Sequence, residues 1–230
     1  MTAVMKSELT GSGDTVVLVP GGLTGWLSWE PHTKQLAANY QVVRVQLLSV
    51  EYGLKNEPLP KGYSVNYEVN ALTHTLDQNK VKDAHFAGWS YGAAILLSFA
   101  LNNPDKVRTL TLIEPPAFWV LRSKGPLSKE VLEDQKIMQS LGLGEVSESQ
   151  LEWFTHYAAF VPPTIDPKRL PQWSVWVKHR QSLRIGDSPY RHEEGIEKVR
   201  TFEKPVLLFK GDGSAKYYHQ IIDVLASEFP

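Results

Sequence analysis

Apolar residues along this chain fall into two patterns. Short unbroken runs, rich in Val, Leu and Ile, occupy Thr15–Val19, Val42–Leu48, Ala84–Gly88, Thr109–Ile113 and Pro205–Phe209. Continuous rather than alternating hydrophobicity predicts strands buried on both faces. Between these runs, apolar residues recur at helical spacing. A helix is predicted from Ser28 to Asn39, with Trp29, His32 and Leu36 in step. Another runs from Ser64, placed to cap it, to about Asn79, with Val65, Val69, Leu72 and Leu76 on one face. Tyr91 to Asn102 is apolar almost all round, which predicts a buried helix. A last helix covers about Tyr217 to Glu228, with Tyr218, Ile221, Ile222 and Leu225 on its apolar side. The stretch Ser49 to Tyr63 contains Pro, Gly and Asn and is expected to be a loop.

Strands alternating with helices predict an α/β fold with a mostly parallel, twisted sheet flanked by helices. The alternation stops between Ala117 and Arg200, where helical patches and prolines replace it. The expected organisation is a core of residues 1–116 and 201–230 with a helical cap, 117–200, inserted into it. Four of the seven tryptophans fall in that insertion. Its aromatics (Phe118, Trp119, Trp153, Phe154, Tyr157, Phe160, Trp173, Trp176) admit two readings: a pocket lining for an apolar substrate, or the small core of the insertion itself. Its scattered cations (Lys168, Arg169, Lys178, Arg180, Arg184) read as a solvated face.

Composition narrows the function classes. At 42% hydrophobic and 21% charged residues the chain is an ordinary globular sequence, not a disordered one. Lys and Arg number 24 against 25 Asp and Glu, so no basic field marks a nucleic-acid or anionic-membrane partner. With no cysteine there is no disulfide, thiolate nucleophile or Cys-ligated metal. No His-x-x-x-His or similar cluster supports a metal, and no cofactor is implied. No apolar run reaches the ~18 residues of a membrane span. The opening MTAVMKSELTGSG lacks an apolar signal core, so a cytoplasmic setting is expected.

The sharpest motif is Gly88-Trp89-Ser90-Tyr91-Gly92. A Gly-x-Ser-x-Gly arises by chance at a rate of roughly 0.08 in a chain of this length and composition, so position must carry the argument. It lies between a predicted strand and a predicted apolar helix, the context of a nucleophile elbow. There a tight turn presents the Ser90 hydroxyl above the sheet edge, and the helix N-terminus favours negative charge. The plain alternative is a Gly-Ser turn without chemistry. Pro20-Gly21-Gly22-Leu23 ends the first run. An oxyanion needs two N–H donors aimed at one point. Tyr91, after the serine, offers one, and Gly22 is assigned the other. An ordinary strand-ending turn is the alternative for this motif.

These residues together resemble the α/β-hydrolase superfamily. The likeness runs in order through Val-Leu-Val-Pro-Gly-Gly with Trp29 beyond it, Gly-Trp-Ser-Tyr-Gly-Ala, a strand ending in Glu114, the cap-like insertion, and Val-Leu-Leu-Phe-Lys-Gly. It is closest to the branch of small cap-bearing esterases and C–C hydrolases. The resemblance implies a Ser–acid–His triad in that chain order, and a sheet with a further strand. Pro20 stands where the family usually has a histidine, and the loop from Leu48 to Gly53 lacks the usual Asp-x-Arg-Gly-x-Gly. The usual acid position corresponds to Ser214, with Asp212 nearby but out of register. Some members carry the acid at the end of the preceding strand, which is Glu114 here. Glu114 is preferred, and Asp212 is the alternative. Pro115 is expected to keep Glu114 extended. A bracing role for Glu114 and a turn-forming role for Asp212 are the plain alternatives.

The resemblance places the histidine after one more strand, beyond the helix ending near Phe229, so it is expected to lie outside these 230 residues. Of the seven histidines, His74 and His85 read as packing or surface residues. His156, His179 and His192 lie in the cap, and His32 and His219 begin helices. None is assigned as the base. The expected function is a serine hydrolase of a small, largely apolar ester, thioester or activated carbonyl compound, acting through an acyl-enzyme. Without its histidine the chain is expected to be slow, and its last strand to leave an open sheet edge. The alternatives are a non-catalytic ligand-binding or signalling protein of the same fold, and cofactor-free oxygenase or haloperoxidase chemistry.

Overall fold

The computed structural model describes residues 3–158 and 161–230. Its strands are β1 (Ser7–Thr10), β2 (Thr15–Val19), β3 (Gln41–Val45), β4 (Ala84–Trp89), β5 (Val107–Ile113) and β6 (Val206–Phe209). They form one sheet in the order β1-β3-β2-β4-β5-β6. β1 pairs antiparallel with β3, and every other pairing is parallel. All five apolar runs became strands. β1 is additional: Ser-Glu-Leu-Thr is short and largely exposed, and only its pairing with β3 makes it a strand.

The helices before the insertion are α1 (Glu30–Leu36), α2 (Leu48–Leu54), α3 (Val65–Gln78) and α4 (Tyr91–Asn102). α3 begins as expected, with the Ser64 hydroxyl accepting the Tyr67 N–H. The first predicted helix is shorter than its pattern, a 3-10 turn over Gly25–Trp29 followed by α1. The expected loop from Ser49 is in part a helix. α2 forms because the buried Glu68 carboxylate accepts the N–H groups of Leu48 (3.0 Å) and Ser49 (2.8 Å). That side chain comes from α3, so local sequence held no sign of it.

Alternate residues of β2 divide the core between the two faces of the sheet. Val17 and Val19 join the main core with Leu72, Leu76 and Ile95, while Val16 and Leu18 pack with Trp29 and Val42. α4 is buried on nearly every side, as its composition predicts. β6 is an edge strand, with Leu207 53% and Phe209 47% exposed.

Between β5 and β6 the described residues are helical or irregular, without a strand. The helices are α5 (Phe118–Arg122), α6 (Lys129–Leu141), α7 (Glu148–Tyr157), α8 (Trp173–His179), α9 (Ser188–Arg191) and α10 (Ile196–Arg200), and α11 (Lys216–Glu228) follows β6. Two cations in this region are not a simple solvated face: Arg180 donates to the Val146 carbonyl (2.9 Å) and Arg184 to that of Glu57 (2.8 Å). No described helix is long and apolar enough to cross a membrane.

Candidate active site

Parallel registers bring the chemical residues to one sheet edge. Val19 pairs with Gly88, Trp89 with Ile113, and Ile113 with Phe209. The residues that follow, Pro20–Gly22, Ser90, Glu114 and Lys210–Ser214, therefore leave the sheet side by side. Strand order reverses between β2 and β4, the position where open α/β sheets bind ligands.

Ser90 turns the chain from β4 into α4 with φ 52° and ψ −126°. A non-glycine residue in that region stores about 1–3 kcal/mol and persists only where its surroundings hold it. Here the Ser90 N–H donates to the Ile113 carbonyl (2.8 Å), and the Ser90 carbonyl accepts from Ala93 (2.9 Å). Both flanking glycines are sterically required. A Cβ on Gly92 would stand 2.7 Å from the Val19 carbonyl oxygen, and one on Gly88 2.9 Å from that of Gly92. The Gly-x-Ser-x-Gly spacing is thus the packing condition of this turn.

Two small cavities flank Ser90. One, of ≈ 40 Å³, is shared with Gly22, Tyr91 and Ser182. The other, of ≈ 50 Å³, is bounded by Phe118, Phe154, Tyr157, Tyr190, Tyr217 and Tyr218. Tyr91 opens α4, so its N–H belongs to the set without an intrahelical acceptor. The insertion's aromatics divide between their two readings. Phe118, Phe154 and Tyr157 reach the cavities, while Trp119 and Trp176 are buried in the main core with Trp153 and Trp173 packed against it. Phe160 lies outside the described residues.

Glu114 also has a positive φ, 50°. The extended backbone expected from Pro115 is therefore corrected. The Glu114 N–H bonds the Phe209 carbonyl (3.1 Å), holding the main chain to β6 as it turns. The carboxylate accepts the Gly211 N–H (2.8 Å) and the Ser214 hydroxyl. Asp212, in the same turn, is exposed and has no hydrogen bond or ion pair among the described residues.

Sequence reasoning did not single out Tyr218 as a site residue. It lines the same cavity as Ser90, and burial, with the nearby Glu114 charge adding to it, raises its phenol above the usual range. Tyr91 also has an unforeseen polar side. Its hydroxyl meets those of Tyr63 (3.3 Å) and Ser188 (3.5 Å), and Tyr63 donates to the Glu68 carboxylate (2.7 Å). These partners lie far apart in sequence, so no local signal pairs them.

Among the described residues no histidine lines either cavity. His179 and His156 bond the carbonyls of Val175 (2.8 Å) and Val161 (3.1 Å), and His85 bonds Thr109 (2.9 Å). His192 lies 3.9 Å from Glu194, and His32 stacks edge-on to Trp29. No cluster of metal-ligating side chains occurs among the described residues.

A mostly parallel sheet with a strained serine between strand and helix, facing a glycine turn, defines the class as an α/β protein of the hydrolase type. The chain belongs to the alpha/beta hydrolase family, whose sequence profile matches residues 16–227. It is 22% identical over 225 residues to carboxylesterase YbfK of Bacillus subtilis, covering 94% of this chain and 71% of the relative. It is 32% identical over 113 residues to a pimeloyl-acyl-carrier-protein methyl ester esterase of Pseudoalteromonas atlantica, covering 49% of this chain and 42% of the relative. The match thus spans less than half of that esterase. The crystal structure of a hydrolase from Pseudomonas aeruginosa superposes with a TM-score of 0.74 at 19% identity, over 98% of this chain and 82% of the other. That likeness shows a shared fold.

Proposed function

We propose that this chain carries the acyl-transfer machinery of a serine hydrolase for a small, largely apolar ester, thioester or activated carbonyl compound. The observation that carries the reading is Ser90: a non-glycine residue held at positive φ on a strand-to-helix turn, facing two cavities. The Ser90 hydroxyl attacks the carbonyl carbon; the ester C–O or thioester C–S bond breaks, the alcohol or thiol leaves with the serine proton, and water then hydrolyses the acyl-enzyme to the acid and free Ser90. The N–H groups of Tyr91 and Gly22 hold the developing oxyanion, and the start of α4 favours its charge. Glu114 is the acid of the triad, in preference to Asp212, supported by the donors that converge on its carboxylate. The helical segment 117–200 acts as a cap over the site. The curated relatives named for ester hydrolysis support the substrate class.

No described histidine lines either cavity, so no base of the triad is assigned among these residues. Serine is a weak nucleophile without one. In subtilisin, removing the triad leaves roughly 10³–10⁴ over water from the oxyanion hole and binding. These 230 residues are therefore expected to acylate slowly. A binding protein without turnover is the competing reading, and cavities beside Ser90 that no described histidine lines favour it.

Intact-mass analysis after prolonged fluorophosphonate treatment tests the proposal, with Ser90→Ala as control. A slow single adduct, lost in the control, supports it. No adduct on folded protein overturns it in favour of the binding protein. Ester turnover near the enzyme median of about 10 s⁻¹ overturns the missing-base part alone.

A further inference from the structure

The cavity on the Gly22 side of Ser90 contains a polar group that the fold does not use. Ser182, in the 3-10 helix Arg180–Ile185, is 2% exposed. Its Oγ is buried and has no hydrogen-bond partner among the described residues. A Cβ built on Gly22 would stand 3.3 Å from this Oγ, so the hydroxyl confronts the glycine turn. Leu23, Leu183 and Ile185 make the surrounding wall apolar. The preceding residue shows the contrast: the Gln181 side chain accepts the Val146 N–H (3.0 Å) and donates to the Val146 carbonyl (3.1 Å). The other hydroxyl in the wall, on Ser49, also makes no hydrogen bond among the described residues, but it lies beside the Glu68 carboxylate that its own N–H bonds (2.8 Å), whereas Ser182 has no such group beside it.

Buried hydroxyls are rarely left unpaired, because losing water without a replacement is costly. A hydroxyl kept at such a place, in an apolar wall beside the attacking serine, is explained by a ligand atom that pairs with it. The cavity limits that ligand. On this volume scale one water needs about 10–15 Å³, so ≈ 40 Å³ admits only a short acyl group beyond the carbonyl carbon.

We infer that Ser182 is a specificity-determining residue, and that its hydroxyl bonds an oxygen on the carbon next to the scissile carbonyl. The site then selects short 2-hydroxyacyl groups, of lactoyl size, over alkyl groups of the same shape. The inference rests on the serine-hydrolase reading for its reaction, but binding tests it without turnover.

Methyl lactate and methyl isobutyrate differ by a hydroxyl in place of a methyl group. Their dissociation constants are measured by NMR titration on the Ser90→Ala protein, and again with Ser182→Ala added. Methyl lactate is expected to bind about tenfold tighter than methyl isobutyrate in the first protein, the worth of one well-placed hydrogen bond, and without preference in the second. Ser182→Thr keeps the hydroxyl and should keep the preference. Because the hydroxyl has no partner in the fold, Ser182→Ala should melt no lower than its parent. A ratio unmoved by Ser182→Ala, equal weakening of both esters, or a lowered melting temperature each overturns the proposal. A missing fluorophosphonate adduct with the ratio intact sinks the hydrolase reading and leaves Ser182 as the selector of a binding site.

Discussion

The carboxylate of Glu114, at the tip of β5, accepts the hydroxyl of Ser214 from the turn after β6, across a sequence separation of 100. The Gly211 N–H bonds the same carboxylate oxygen at 2.8 Å. An acid that ends one strand is thus fixed by the loop that ends its neighbour. The turn from Gly211 to Ser214 supplies donors, and its own carboxylate, Asp212, points to no partner among the described residues.

This arrangement separates the two candidate acids by stability. Ser214→Ala removes a donor from a half-buried carboxylate and should cost about 1–3 kcal/mol in urea unfolding. Asp212→Ala should stay within about 0.5 kcal/mol of the parent, as for an exposed residue without partners. Equal costs for the two variants would remove the structural preference for Glu114.

The turn at Ser90 leaves no room beside Gly92, where a Cβ would lie 2.7 Å from the Val19 carbonyl oxygen. Backbone on both sides cannot give way cheaply, so Gly92→Ala should destabilise by about 1–3 kcal/mol or more. Gly144 has nothing within 4 Å of its built Cβ, and Gly144→Ala should be neutral or slightly stabilising. Chemical denaturation of both variants checks the contrast.

Glu68 gathers three donors, accepting Leu48 N–H, Ser49 N–H and the Tyr63 hydroxyl. Glu68→Ala strands two buried backbone donors and leaves the Tyr63 hydroxyl only Tyr91, and should cost about 3 kcal/mol or more. Loss of α2 should accompany it, visible as faster amide exchange at Leu48 to Leu54. Retention of wild-type exchange there would show that α2 does not depend on this carboxylate.

Acid should weaken the fold partly through His192. Burial holds its imidazole below the ordinary 6.5, with Arg122 and Lys198 acting the same way and Glu193 and Glu194 opposing. The unfolded chain therefore takes up the proton first as pH falls. The stability is fully present above about pH 6.5 and is lost as pH drops through that value toward the folded pKa. His179, lowered by burial, adds in the same direction. Glu68, raised by burial, acts oppositely: its folded form binds the proton first, so its contribution grows as pH falls. The informative quantity is thus the difference between proteins. From pH 7.5 to 5.5, His192→Gln should lose less stability than the parent, and parallel curves for the two would exclude His192 as a contributor.

Much of this architecture is legible from residues close in sequence. Five apolar runs named five strands, and Ser64 and the all-apolar stretch from Tyr91 named two helices, because burial on both faces and capping leave local patterns. The motif around Ser90 was legible for the same reason: its two glycines answer clashes within the turn and with the adjoining strand end. β1 and α2 were not, since one is made by pairing with β3 and the other by a carboxylate from α3. The support of Glu114 by Ser214, the sharing of one cavity by Tyr218 and Ser90 and the isolation of Ser182 likewise join residues that only folding brings together. Sequence by itself determined the α/β class, the strained serine and the glycine turn. Tertiary structure decided which acid is held, which aromatics reach the cavities and where a buried hydroxyl is left unpaired, because hydrogen bonds and burial depend on distance in space.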